Sequence, residues 1–165
     1  MKIVIVADKH TVYGNEIFQK KELHTHCEVT CLCEDGGTIK SIQRKVKELS
    51  PDILITVDLE GFEQSTLTDN ISYNLLDCKQ IHFILNRNLP NERYLEKPLS
   101  MAMFFYCTDD EYCKYLLEKY PDIPYLKAMG IDNIEQGSVT ANVDALWKSV
   151  CEVMKICKLD DGILL

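Results

Sequence analysis

The sequence predicts an α/β domain of the three-layer, Rossmann-like class, with a mostly parallel open sheet of five or six strands and helices on both faces. Short apolar runs rich in Val, Ile and Phe recur along the chain, which is the pattern of strands buried on both faces. Segments with apolar residues at helical spacing separate these runs. Strands that alternate with helices are typical of right-handed βαβ crossovers, which place neighbouring strands parallel.

Three apolar runs in the first half of the chain predict strands, and these are 2–7, 28–34 and 53–57. Gly14 and Asn15 predict a turn and the start of a helix that ends near Leu23. Thr38 is expected to cap a second helix, which Pro51 ends. The apolar face of this second helix consists of Ile39, Ile42, Val46 and Leu49.

Three further runs in the second half predict strands, and these are 80–85, 100–107 and 124–129. A short helix is expected near 71–78. Thr108 and Glu111 have the spacing of a capping box and predict a helix that continues to Pro121. Asn142 precedes a long segment with one apolar stripe, which predicts the last helix.

The length and composition favour one folded domain. The chain has 165 residues, of which 46% are hydrophobic and 27% charged, and single cores of roughly 100–150 residues are common. Residues 1–158 are therefore expected to form a single Rossmann-like domain. Residues 159–165 are expected to be a loose C-terminal tail.

Charge and hydropathy restrict the partners. Eighteen Lys and Arg against 26 Asp and Glu give a formal charge of -8, which opposes binding to nucleic acid or to anionic lipid. No apolar stretch approaches the roughly 20 residues that span a bilayer, and the opening run is too short for a signal peptide. We expect a cytoplasmic protein whose eight cysteines are thiols.

Polar residues follow the predicted strands at what would be the carboxyl edge, the side of the sheet where parallel strands end. Open α/β sheets bind ligands at this edge. We therefore expect a small polar ligand or a protein partner to bind there. The candidate residues are Asp8 and His10 after the first strand, Asp58 and Glu60 after the third, Asn86 and Arg87 after the fourth, and Asp109 after the fifth.

Several kinds of chemistry have no motif in the sequence. The first strand is not followed by Gly-x-Gly-x-x-Gly, and neither a P-loop nor a Gly-x-Ser-x-Gly elbow occurs. We expect no cofactor and no catalysis by the chain alone. A group of residues with zinc-binding side chains lacks the usual spacing of a zinc site, so we expect no metal. These residues are His24, His26, Cys27, Cys31 and Cys33.

A phosphoacceptor receiver domain is one alternative. Asp8 and Asp58 follow the first and third predicted strands, where such a domain carries an acidic residue and the aspartate that is phosphorylated. Two carboxylates there could bind Mg²⁺. Receiver domains also have a Lys after the fifth strand, whereas this chain has Thr108, Asp109 and Asp110.

Residues 51–132 resemble the N-terminal half of two-domain GT-B glycosyltransferases, particularly the spore-maturation-like group. The similarity consists of 51–56 (PDILIT), 80–86 (QIHFILN), and 106–121 followed by 124–126 (PYL). It implies a Rossmann-like acceptor half whose strand ends face a second domain that holds most of the sugar-nucleotide donor. The chain has no length for that domain, so this alternative is a glycosyltransferase-related enzyme that acts with a second chain.

Overall fold

The computed structural model describes residues 1–7, 27–32, 39–59, 76–89, 92–96, 99–131 and 139–157. The strands are β1 (Lys2–Val6), β2 (Glu28–Leu32), β3 (Ile53–Val57), β4 (Lys79–Ile84), β5 (Met103–Cys107) and β6 (Leu126–Ala128). The helices are α1 (Ile39–Leu49), α2 (Asp110–Lys119) and α3 (Val139–Ile156), and a 3-10 helix spans Glu92–Glu96. All six predicted strands are present.

The six strands form one sheet in the order β2-β1-β3-β4-β5-β6, and every neighbouring pair is parallel. This confirms the predicted α/β open sheet. The strand order begins as in flavodoxin-like folds, where the direction of winding changes beside β1 and ligands bind next to that change, between β1 and β3. The end of β3 therefore lies next to the position where such sheets bind ligands.

Strand side chains alternate between two apolar clusters, because successive residues of a strand point to opposite faces of the sheet. The first cluster contains Ile3, Ile55 and Phe83, together with Leu146 and Val150 of α3. All five are almost completely buried. The single apolar stripe predicted for the last helix is thus the side that packs in this cluster.

The second apolar cluster contains the intervening strand residues. Val4, Leu54 and Phe105 belong to it, together with Val46 of α1 and Leu116 of α2. Burial of one such side chain contributes about 1.5–3 kcal/mol. Packing in this cluster fixes α2 against β5, and so fixes the loop between them at the carboxyl edge.

Some boundaries differ from the prediction. β5 begins at Met103 rather than at residue 100, because residues 100–103 form a turn in which Met103 N donates to Ser100 O at 3.0 Å. α3 begins at Val139, so Asn142 is a buried residue inside the helix rather than a residue that precedes it. The 3-10 helix was not predicted.

Two predicted helices fall wholly or mainly outside the described residues. These are the helix at 14–23 and the short helix near 71–78, of which only residues 76–78 are described, and those three are not helical. The predicted tail at 159–165 is also outside the described residues. Among the helices that the structure describes, none has the length and apolar character needed to cross a membrane.

Candidate functional site

Four of the seven predicted site residues are described, and all four follow strands at the carboxyl edge. Asp58 follows β3, Asn86 and Arg87 follow β4, and Asp109 follows β5. These strands are adjacent in the sheet. Asp8, His10 and Glu60 lie outside the described residues.

Asp58 connects the end of β3 to the end of β4. Its Oδ1 accepts hydrogen bonds from two consecutive backbone amides, Leu85 N at 2.7 Å and Asn86 N at 2.8 Å. Its own backbone N–H donates to Phe83 O at 2.7 Å. The carboxylate therefore fixes the start of the loop after β4 relative to β3.

The backbone at Asp58 is in an unusual conformation. Asp58 has a φ of 50° and Leu59 a φ of 56°, so two consecutive residues with side chains occupy the left-handed region. Each such residue costs about 1–3 kcal/mol and persists only where the surrounding structure holds it. Leu59 is completely buried in the second apolar cluster, and this burial offsets part of the cost.

The environment of Asp58 raises the pKa of its carboxyl group. Burial disfavours the charged form and is the main cause, while the amides of Asn86 and Leu85 act in the opposite direction by stabilising the carboxylate. The raised pKa shows that desolvation outweighs the two hydrogen bonds. Asp58 thus bears its charge at an energetic cost.

Asn86 and Tyr112 link the loop after β4 to α2. The side-chain oxygen of Asn86 accepts from Asn88 N at 2.9 Å, which closes a tight turn. Its backbone oxygen accepts from the hydroxyl of Tyr112 at 3.3 Å. Burial, followed by the charges of Glu92 and Asp58, raises the pKa of Tyr112, so this hydroxyl is close enough to Asp58 to experience its charge.

Arg87 and Asp109 form an ion pair. The Nη2 of Arg87 is 2.8 Å from Asp109 Oδ2 and 3.8 Å from a carboxylate oxygen of Glu111. The guanidinium also lies 5.5 Å from the ring centroid of Tyr112, a cation–π distance. The hydrogen bond to Asp109 is the main cause that raises the pKa of Arg87.

Asp109, rather than Thr108, is the N-cap of α2, which corrects the predicted capping box. Asp109 has extended backbone angles, and its Oδ1 accepts from Tyr112 N at 2.9 Å. The Thr108 hydroxyl instead donates to Asp109 Oδ2 at 3.0 Å. Burial opposes ionisation of Asp109, but the hydrogen bonds from Tyr112, Arg87 and Thr108 outweigh it and lower its pKa.

The described residues contain no group of three or more His, Cys, Asp or Glu side chains arranged to hold a metal ion. Of the five residues with zinc-binding side chains considered above, the structure describes only Cys27 and Cys31. The described edge offers a carboxylate at Asp58, an amide at Asn86 and a half-exposed guanidinium at Arg87. These groups can bind and orient a polar molecule by hydrogen bonds.

Three contributors to this edge were not predicted as site residues. They are Leu59, whose backbone is strained, the amide of Leu85, and Tyr112. Tyr112 is only 3% exposed, yet its hydroxyl reaches the loop after β4. Its place in the first turn of the helix after β5 is the signal that could have identified it.

Comparisons with protein-family models, with curated proteins and with solved structures each give no match. The resemblance of residues 51–132 to a glycosyltransferase half stays a prediction.

Proposed function

We propose that this chain is a binding module that takes a small polar ligand at the carboxyl edge of its parallel sheet. The residues that contact the ligand in this proposal are Asp58, Asn86 and Arg87, with Asp109 holding Arg87 in place. The strand order supports it, because sheets of this order bind ligands beside the end of β3.

The proposal depends mainly on two properties of Asp58, the burial of its carboxylate and its left-handed backbone. A partly buried carboxylate whose charged form is disfavoured by burial, on a backbone with two consecutive left-handed residues, lowers the stability of the fold. Strained and desolvated groups concentrate at sites that bind ligands, where the arrangement is retained for function. The turn at Asp58 and Leu59 fits this description.

A thermal-shift and calorimetry screen tests the proposal. The panel contains neutral sugars, polyols, amines, nucleotides, sugar nucleotides, flavins and divalent ions. A true ligand at 100 times its Kd should raise the free energy of unfolding by about 2.7 kcal/mol. Asp58→Asn should weaken that ligand at least about tenfold, since a hydrogen bond to a charged group contributes about 1.5–3 kcal/mol.

Asp52→Asn is the matched control. Asp52 Oδ2 also accepts from a backbone amide on a neighbouring strand, Lys2 N at 2.7 Å, but Asp52 precedes β3 and so lies at the opposite edge. Its substitution should leave the affinity unchanged. Absence of a shift with every compound would contradict the proposal and favour a protein partner, whereas a shift with sugar nucleotides alone would favour the glycosyltransferase-related alternative.

A phosphoacceptor role for Asp58 is a second candidate, because the strand order and the place of Asp58 after β3 both favour it. Against it, Asp58 Oδ1 already accepts two backbone amides, and Asp109 and Asp110 stand near the end of β5 where receiver domains have Lys. Incubation with acetyl phosphate and Mg²⁺ tests this role. A mass increase of one phosphoryl group that Asp58→Asn abolishes would establish it, and an unchanged mass would exclude it.

A further inference from the structure

Three groups at the carboxyl edge that ordinarily bind anions are each occupied by a carboxylate of the chain itself. The consecutive amides of Leu85 and Asn86 both donate to Asp58 Oδ1. The guanidinium of Arg87 pairs with Asp109 Oδ2. The N-terminus of α2 is capped by Asp109 Oδ1 through the amide of Tyr112.

Each of these groups has a known affinity for oxyanions. Successive backbone N–H groups, helix N-termini and arginine side chains bind phosphate, sulfate and carboxylate ligands in many proteins. A carboxylate oxygen at 2.7 and 2.8 Å from two amides occupies the place that an oxygen of such a ligand would take. Asp58 is therefore an internal substitute for an anionic ligand.

We propose that Asp58 is the specificity-determining residue of this edge, and that it excludes oxyanions by occupying the amides of Leu85 and Asn86. The ligand of the wild-type edge is then a neutral or cationic polar molecule, such as a sugar, a polyol or an amine. This statement about the natural ligand rests on the proposed function, whereas the role of Asp58 at the two amides does not.

The charges around the edge also oppose the binding of anions. We consider the described residues that directly follow β3, β4 and β5, as far as the first turn of α2. They include four acidic residues, Asp58, Asp109, Asp110 and Glu111, and one basic residue, Arg87. Arg87 is paired with Asp109 and Glu111. An approaching anion thus meets excess negative charge, and a cation is attracted.

Two substitutions of Asp58 separate occupancy of the amides from charge. Asp58→Gly removes the carboxylate and leaves both amides open, and glycine adopts a φ of 50° without a steric cost. Asp58→Asn removes the charge but keeps a side-chain oxygen that accepts the same amides, and asparagine also tolerates the left-handed region. Asp52→Asn again serves as the control at the opposite edge.

The experiment is a titration of each purified full-length variant with inorganic phosphate and with sulfate, followed by calorimetry and by the amide chemical shifts of Leu85 and Asn86. Asp58→Gly should bind phosphate at least about tenfold more tightly than the wild type. A tenfold change in affinity corresponds to about 1.4 kcal/mol of binding free energy. Asp58→Asn should gain much less than Asp58→Gly, because its side-chain oxygen still occupies both amides, and Asp52→Asn should bind phosphate as weakly as the wild type. Circular dichroism checks that each variant folds. Asp58→Ala is a second variant without the carboxylate, and it bears an additional steric cost of about 1–2 kcal/mol at this left-handed position.

Three results would overturn the proposal. The first is equal gains in Asp58→Gly and Asp58→Asn, which would mean that charge alone excludes anions. The second is no gain in a folded Asp58→Gly or Asp58→Ala variant, and the third is wild-type binding of phosphate as tight as that of Asp58→Gly. The phosphate titration needs no natural ligand, so its failure is distinguishable from failure of the ligand panel.

Discussion

His82 illustrates at the scale of one residue how the sheet sets the chemistry of a side chain. It lies in β4 and is completely buried, with Nδ1 at 2.8 Å from the hydroxyl oxygen of Thr56 on β3 and its ring 4.9 Å from that of Phe105 on β5. Burial lowers the pKa of His82 to about 3. Its imidazole is therefore neutral in the folded protein at any pH near neutrality.

This burial makes the stability of the fold depend on pH. As the pH falls below about 6.5, the usual pKa of histidine, His82 gains a proton in the unfolded chain but not in the folded one until about pH 3. The free energy of unfolding should therefore fall through this interval, and His82 should contribute a loss of about 2 kcal/mol between pH 8 and pH 5.

Urea unfolding of the wild type and of His82→Gln at both pH values measures this effect. Glutamine does not titrate and can still hydrogen-bond to Thr56, while all other ionisable groups are shared by the two proteins. The wild type should lose about 2 kcal/mol more than His82→Gln between pH 8 and pH 5. Equal losses of the free energy of unfolding in the two proteins would show that His82 is protonated at pH 5 in the folded protein as readily as in the unfolded chain.

The sequence identified residues of the carboxyl edge by position but not by their contacts. Asp58, Asn86, Arg87 and Asp109 follow apolar runs, and this pattern was sufficient to place them at strand ends. The hydrogen bonds of Asp58 depend on left-handed angles at Asp58 and Leu59. Leucine rarely adopts such angles, so no local signal in the sequence predicts this turn.

At the scale of elements, the start of α2 joins the helix to the candidate site, because Asp109 both caps the helix and holds Arg87. The sequence predicted the helix and placed its cap at the neighbouring Thr108. Both residue types are good N-caps, and the choice between them depends on backbone angles that sequence spacing does not specify. The strands were predicted more closely, since continuous apolar runs mark buried parallel strands.

Asp109→Ala should destabilise the protein by about 1–2 kcal/mol, because the first turn of α2 loses its capping acceptor. Asp109→Asn should keep most of the stability, since asparagine caps equally well. Chemical denaturation at neutral pH measures both. Asp110→Ala, one residue further along, is the control and should change stability by less than about 0.5 kcal/mol. If Asp110→Ala lowered the free energy of unfolding as much as Asp109→Ala, the N-cap would have been assigned to the wrong residue.

At the scale of the whole molecule, the sequence predicted a parallel sheet but not the order of its strands. β1 lies between β2 and β3, an arrangement that depends on contacts between distant segments rather than on any local pattern. The order is what places the ends of β3, β4 and β5 side by side. Three predicted edge residues, Asp8, His10 and Glu60, fall outside the described residues, so their part in the edge stays a prediction.

The most direct test is to map backbone amide chemical shifts by NMR while the tightest compound of the ligand panel is titrated into the wild-type protein. The largest changes should occur at Leu85, Asn86 and Arg87 and around Asp109, and should saturate together. Lys2, Asp52 and Lys79, at the opposite ends of the strands, should be unaffected. Changes centred on those three residues, or on the outer surfaces of α1 or α3, would contradict binding at the carboxyl edge.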